Sequence, residues 1–335
     1  MALPEMANPP TAGGDGANGR PRRRALWMTV FALTFVLWWK FVGLPTDYGV
    51  AFLWLWAATV AWNNDHTWQQ HRDFARDWVP ILVVLVAYDV SRGMADGLLD
   101  VHVDEMIHAD RALFGVIPTV WLQQHLYTPG QVRWWDVLVS FVYFSHFVVS
   151  LVVAVVLWLR NRATWARFMR RWLFVTAAGL ATYFLYPAAP PWYAAKHGHI
   201  AETVYRTSTE GWHAIGLHGA GKLLSTGQEM ANPVAAMPSL HTAFAMLAVA
   251  FFFAQVPRRW VPVLLLYPLA MTFSLVYAGE HYVVDVLVGW AYVLIAMVVV
   301  RSAERWWAGR GAGPDLVAVG AGEGPVGDEG VLPVR

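Results

Sequence analysis

The stretch Gly279-Glu280-His281-Tyr282-Val283-Val284-Asp285, followed without a break by apolar sequence to Val300, carries two signals at once. Its length and composition are those of a membrane helix, because a bilayer core of about 30 Å takes roughly 20 apolar residues in helix. Its leading end holds a histidine and an aspartate four positions apart, which a helix brings onto one face. Ionisable groups at membrane depth are costly and mark functional sites by default. A second block has the same design. Ala236-Met237-Pro238-Ser239-Leu240-His241 opens the apolar segment Leu240–Val256. Pro238 and Ser239 fall where a helix starts, with Ser239 suited to the N-cap and His241 to the first turn.

Working outward, further spans are expected at Leu26–Leu44, Val137–Leu159, Trp172–Tyr186 and Val261–Ala278. With Leu240–Val256 and Val283–Val300 they make six. Val50–Trp62 and Trp78–Val90 are shorter and are expected as two additional short spans. Composition agrees. Of 335 residues, 57% are hydrophobic and only 14% charged, against about 25% charged in soluble domains. The 20 Trp suit membrane interfaces. A net charge of +1 gives no pull toward nucleic acid, and the absence of Cys excludes disulfides and thiolate metal sites. The expected fold is an all-α integral membrane bundle. Residues 1–24 and 309–335, rich in Gly, Pro and Ala, are expected as disordered tails. Residues 25–136 would hold the N-terminal spans and an extracytoplasmic segment. Residues 137–302 would form the catalytic transmembrane core, with an extracytoplasmic loop at 187–238.

Basic residues set the direction. Arg20 and Arg22–Arg24 precede the first span. Arg160, Arg162, Arg167, Arg170 and Arg171 lie between the Val137 and Trp172 spans. Arg258 and Arg259 follow the Leu240 span, and Arg301, Arg305 and Arg310 follow the last. If all are cytoplasmic, the alternation closes, with both termini cytoplasmic. Ser91–Asp136, Pro187–Pro238 and Gly279–His281 then face the other side. A multi-pass plasma-membrane protein with an extracytoplasmic site is the expectation.

That face carries the chemistry. Two histidines at helix N-termini meet backbone N–H groups and partial positive charge, which suit phosphate. Phosphoryl transfer needs a nucleophile and a proton donor for the leaving oxygen, and two histidines supply both without a metal or cofactor. An aspartate beside His281 would fix its tautomer. Taken alone, His241 is as readily a packed core residue as a catalytic one. The two blocks together, on one face, favour catalysis.

The Pro238–His241 and His281–Asp285 blocks resemble the histidine motifs of the type-2 phosphatidic acid phosphatase (PAP2) superfamily. The resemblance implies a six-helix transmembrane bundle and a metal-independent site. His281 would form a phosphohistidine, Asp285 would orient it, and His241 would be the acid for the leaving group. Tyr186-Pro187-Ala188-Ala189-Pro190-Pro191-Trp192-Tyr193 is similar to a segment of inositol phosphorylceramide synthase, and Glu280–Asp285 looks like the sphingolipid synthases. Those enzymes move a headgroup between lipids. The resemblance covers 137–300. Lipid phosphatases of the superfamily carry a Lys-x6-Arg-Pro block and an Arg six positions before the second His. Here the latter position is Leu275 and the former block is absent. A dianionic monoester benefits from such clamps more than a monoanionic diester does. The expectation is therefore headgroup transfer, with phosphoinositol as the headgroup, a phospholipid donor, and a lipid alcohol or water as acceptor. A lipid phosphate phosphatase is the rival reading, and a transporter or non-catalytic scaffold the third. Pro190, Pro191, Trp192, Tyr193, Ser239, Lys196 and His146 are the candidate substrate-binding residues. Lys196, Arg206 and Lys222 are candidates for the missing cation.

Other polar groups have plainer readings. His102, Asp104, Glu105, His108 and Asp110 are spread around a helix and predict an interfacial segment, not a metal cluster. Asp89 and Arg92 are expected to pair with each other. His197, His199, His213 and His218 are expected to be solvated.

Overall fold

The computed structural model describes residues 19–43, 48–92, 99–229 and 232–311. All regular structure among them is helical. Three helices precede the core: α1 (Gly19–Phe41), α2 (Tyr48–Trp62) and α3 (Trp68–Arg92). Two short ones follow, α4 (Asp104–Phe114) and α5 (Pro118–Leu126). The long α6 (Trp134–Arg160) and α7 (Arg162–Leu185) form a hairpin. Three short helices, α8 (Pro191–Lys196), α9 (Glu210–Ala214) and α10 (His218–Glu229), build the loop region above it. The bundle closes with α11 (Leu240–Phe252), α12 (Val261–Tyr277) and α13 (Val283–Gly311).

Among the described residues three stretches are long and apolar enough to cross a membrane: Trp134–Arg160, Arg258–Tyr277 and Val283–Arg310. Gly49–Trp62 and Leu240–Gln255 are apolar but shorter. The remaining expected spans are helical but carry charge at their ends. In α7 the first turns hold Arg162, Arg167, Arg170 and Arg171. The chain is thus a multi-pass membrane protein, with three helices reaching full span length on their own sequence.

The basic ends cluster. Arg24 Nε donates to the Trp62 carbonyl (3.0 Å), tying the start of α1 to the end of α2. Arg170 and Arg171 both reach Glu304, tying the start of α7 to the end of α13. Two expected tail boundaries move. Helix α1 begins at Gly19 and α13 runs to Gly311, because Arg and Ala are good helix formers and carry the helices past the apolar limits. The rest of both tails, and the Asp89–Arg92 pairing, lie outside the described residues and side chains.

The main core packs Phe74 and Trp78 of α3 against Trp165, Phe168 and Trp172 of α7 and Leu247 of α11. Close approach is sequence-encoded at Gly289: a Cβ there would stand 2.6 Å from the Ser239 carbonyl oxygen. Its missing side chain lets α13 lie against the Pro238–Ser239 segment.

Candidate active site

The two histidine blocks meet at one end of the bundle. Ser239, fully buried, caps α11 by accepting from the Thr242 N–H (3.5 Å) and donates its own N–H to the Asp285 carbonyl (3.0 Å). Tyr183 of α7 donates its hydroxyl to the Pro238 carbonyl (2.7 Å). This backbone lacing fixes the first turn of α11 relative to that of α13. His241 and His281 then face each other with ring centroids 5.9 Å apart. His281 Nδ1 stands 3.5 Å from Asp285 Oδ2, an ion-pair distance without a formed hydrogen bond. The same carboxylate oxygen accepts the Tyr282 N–H (2.8 Å), so it is pinned in place. With Nδ1 turned to Asp285, Nε2 is the nitrogen left to act as nucleophile.

His146 of α6 belongs to the same cluster. Its ring lies 4.0 Å from that of His241, and Tyr143 stacks on His241 at 5.3 Å. His241 Nε2 is buried and has no hydrogen-bond partner. A buried polar atom in that state is poised for a ligand. Both catalytic candidates and His146 line one cavity of about 580 Å³, whose walls are mostly apolar. Gln228 of α10 also reaches it.

The cation question has a clear geometric answer. Leu275 is fully buried among Tyr143, Ala245 and Met271, so the position that would hold an arginine packs the core instead. Lys222 is exposed. Lys196 lines a separate cavity of about 350 Å³ together with Trp192 and Arg206. Arg206 is engaged: its Nε donates to Glu280 Oε1 (2.9 Å), and its guanidinium lies 4.9 Å from the Trp192 ring centre. Ser208 (2.6 Å) and Gln228 (3.0 Å) donate to the same Glu280 oxygen. Arg206 is thus paired with a buried carboxylate, Glu280, the residue that precedes His281.

Pro190, Pro191, Trp192 and Tyr193 lie outside the lining of the larger cavity. Pro190 and Pro191 are buried and start α8, and the Trp192 N–H donates to the Gly279 carbonyl (3.1 Å). The segment braces the turn that presents Glu280 and His281. Ala188 bridges both to His102 and to Ala235, tying that turn's support to the approach of Pro238.

The sequence concealed one residue here. Asp110 was read as part of an interfacial segment. It is fully buried, and its two carboxylate oxygens accept the N–H groups of Val283 and Val284 (3.0 Å each). It caps the helix that carries Asp285. Burial, opposed by those two hydrogen bonds and reinforced by nearby Asp285, raises its pKa from 3.8 to about 6. Elsewhere in that segment His102 pairs locally with Glu105 (2.7 Å), and Asp104 pairs with His199 of the long loop (2.9 Å). Among the described residues no group of three or more His, Cys, Asp or Glu could hold a metal ion.

Comparison with known proteins identifies the family. Residues 104–299 match the PAP2 superfamily. The phosphoinositol dihydroceramide synthase of Bacteroides thetaiotaomicron is 28% identical over 239 residues, covering 67% of this chain and 75% of that one. No solved structure matches. The family match runs from the first residue of α4 into α13 and takes in both histidine blocks, the aspartate and the helices that hold them; the chain belongs to the PAP2 superfamily.

Proposed function

We propose that the protein transfers a phosphorylated headgroup, with phosphoinositol the first candidate, from a phospholipid to a lipid alcohol. The observation that carries this is the pairing of His241 with His281 across 5.9 Å at the mouth of a mostly apolar cavity. The name of the Bacteroides relative supplies the headgroup. The neutralised cation supports a diester substrate. Arg206 shares its charge with Glu280, so the site offers little excess positive charge, and a monoanionic phosphodiester needs less than a dianionic monoester.

In the first step His281 Nε2 attacks phosphorus, and the bond from phosphorus to the lipid oxygen breaks. His241 gives its proton to that oxygen, releasing the lipid alcohol. Asp285 holds the His281 tautomer and stabilises the positive charge the ring acquires. In the second step the acceptor hydroxyl gives its proton to His241 and attacks phosphorus, and the bond to His281 breaks. Both histidines return to their starting states. Six spans with α2 and α3 added, cytoplasmic termini, a plasma-membrane location and an extracytoplasmic site complete the reading. Their support is the clustering of basic residues at the far end of the bundle.

The test is product analysis with purified protein in detergent micelles. Labelled phosphatidylinositol plus a lipid alcohol should yield a new phosphoinositol lipid and diacylglycerol. Inorganic phosphate released from phosphatidic acid as the main product would overturn the transferase reading in favour of a phosphatase. Inactivity on both, with the fold intact, would favour a scaffold.

A further inference from the structure

The cavity below the histidines has walls from two sources. One is the family core: α6, α7, α10 and α11. The other is α3, which contributes Trp78, Ile81 and Leu85. Helix α3 lies wholly before residue 104, where the family match begins. One wall of this cavity therefore lies outside the matched segment.

The lining residues give the cavity a direction. On α7 they run from Tyr183, which bonds Pro238 beside the histidines, to Met169. That is 14 positions, or about 21 Å at the helical rise. On the antiparallel α6 they run from Tyr143, stacked on His241, to Ala154. The two far ends meet: Ala154, Met169 and Trp78 belong to one buried cluster. Below this level α3 and α6 close on each other. Phe74 packs edge-on to Trp158 at 5.0 Å, and Asp77 accepts from Trp158 (3.3 Å) and pairs with Arg162. The space is thus an elongated shaft, polar at the histidine end and apolar along its length, with Trp78, Ala154 and Met169 buried at its far end and half-exposed Phe147 and Leu151 on its α6 side. One leaflet's hydrocarbon is about 15 Å deep, half the bilayer core, so the shaft reaches at least as deep as a seated chain.

We infer that this shaft holds a single hydrocarbon chain of the lipid alcohol, and that α3, with Trp78 and Ala154 at the floor, sets the chain length accepted. The inference rests on the headgroup-transfer reading. In that reaction the phosphoryl group waits on His281 while one alcohol leaves and another arrives, so one shaft serves both in turn. Donor and acceptor chains then compete for the same space, which requires ping-pong kinetics.

Two measurements test it. The first is specificity: kcat/KM for saturated lipid alcohols of stepped chain length. Ala154→Phe, which shortens the shaft, should shift the preference toward shorter chains by roughly tenfold, the effect of a methylene or two in an apolar pocket. Trp78→Ala should shift it toward longer chains. Unchanged preference in both active variants overturns the inference. The second needs no turnover and so survives a folding or activity failure in those variants. Full-length His281→Asn protein is irradiated with a lipid alcohol bearing a diazirine at its chain terminus. Cross-links to α3 and to α7 near Met169 support the shaft. Cross-links confined to the bundle exterior overturn it. Failure of the headgroup-transfer assay with these cross-links retained would refute the reaction and leave the chain site standing.

Discussion

Replacing Asp110 should loosen the catalytic end of α13 without touching either histidine. The carboxylate accepts two N–H groups at 3.0 Å each, from Val283 and Val284, in a fully buried site. Asp110→Ala leaves both donors unpaired, and each such donor costs about 1–3 kcal/mol. Several kcal/mol in all predicts a melting temperature lower by many degrees. Asp110→Asn keeps one acceptor oxygen and should lose about half as much. The pH dependence separates this role from simple packing. Burial raises the Asp110 pKa from 3.8 to about 6, so the fold holds that proton more tightly than the unfolded chain does. Its favourable contribution is complete below pH 3.8 and is lost as the pH rises through about 6. The wild-type advantage over Asp110→Asn should therefore shrink across that window. The assay is thermal unfolding in detergent at a series of pH values, with activity measured in parallel. Equal melting temperatures for wild type and Asp110→Ala, or a difference from Asp110→Asn that is flat with pH, would refute the capping argument.

Three further outcomes follow from the geometry. Asp285→Asn should lower kcat by about 100-fold or more while leaving lipid binding intact, because His281 loses its orienting partner; single-turnover kinetics that show undiminished loading of His281 would contradict this. Gly289→Ala should destabilise by about 1–3 kcal/mol despite the better helix propensity of Ala, since its Cβ would stand 2.6 Å from the Ser239 oxygen; a raised melting temperature would count against the close approach. Arg206→Gln should cost about 1–3 kcal/mol by stranding the buried Glu280 carboxylate, and the double variant Arg206→Gln/Glu280→Gln should regain most of it. A double-mutant cycle with no coupling would remove Arg206 from the site's charge balance.

What the sequence made legible was whatever chain periodicity controls. His281 and Asp285 are four positions apart, a spacing that predicts proximity on a helix; the two do come within 3.5 Å, although His281 stands two residues before α13 and reaches Asp285 from the preceding turn. Ser239 precedes an apolar run, and capping chemistry alone puts it at the start of α11. The tertiary relations had no such local signature. Asp110 acts 173 positions away from Val283, and its neighbours in sequence have the pattern of an ordinary amphipathic helix. The same holds for Arg206, which any solvated loop could contain, and which is distinguished only by folding back onto Glu280 and Trp192. The Pro190–Tyr193 segment, singled out by its similarity to inositol phosphorylceramide synthase, has a backbone role that the similarity does not convey: it braces the Gly279 turn from outside the main cavity, while Trp192 lines the smaller one.

These two kinds of concealment have one physical cause. A phosphoryl-transfer site needs two rings held at a fixed separation, and no single helix can hold both. The separation of His241 from His281 is therefore set by backbone contacts between segments remote in sequence: Ser239 to Asp285, Tyr183 to Pro238, and Trp192 to Gly279. Backbone groups carry no side-chain identity, so the sequence cannot advertise them. Where a side chain does enter this framework, as at Asp110 and Gly289, its role is to satisfy or admit backbone. The reacting groups are thus readable in the chain, while the distance between them is a property of the fold, and it is the distance that decides whether the two histidines can act on one phosphorus atom.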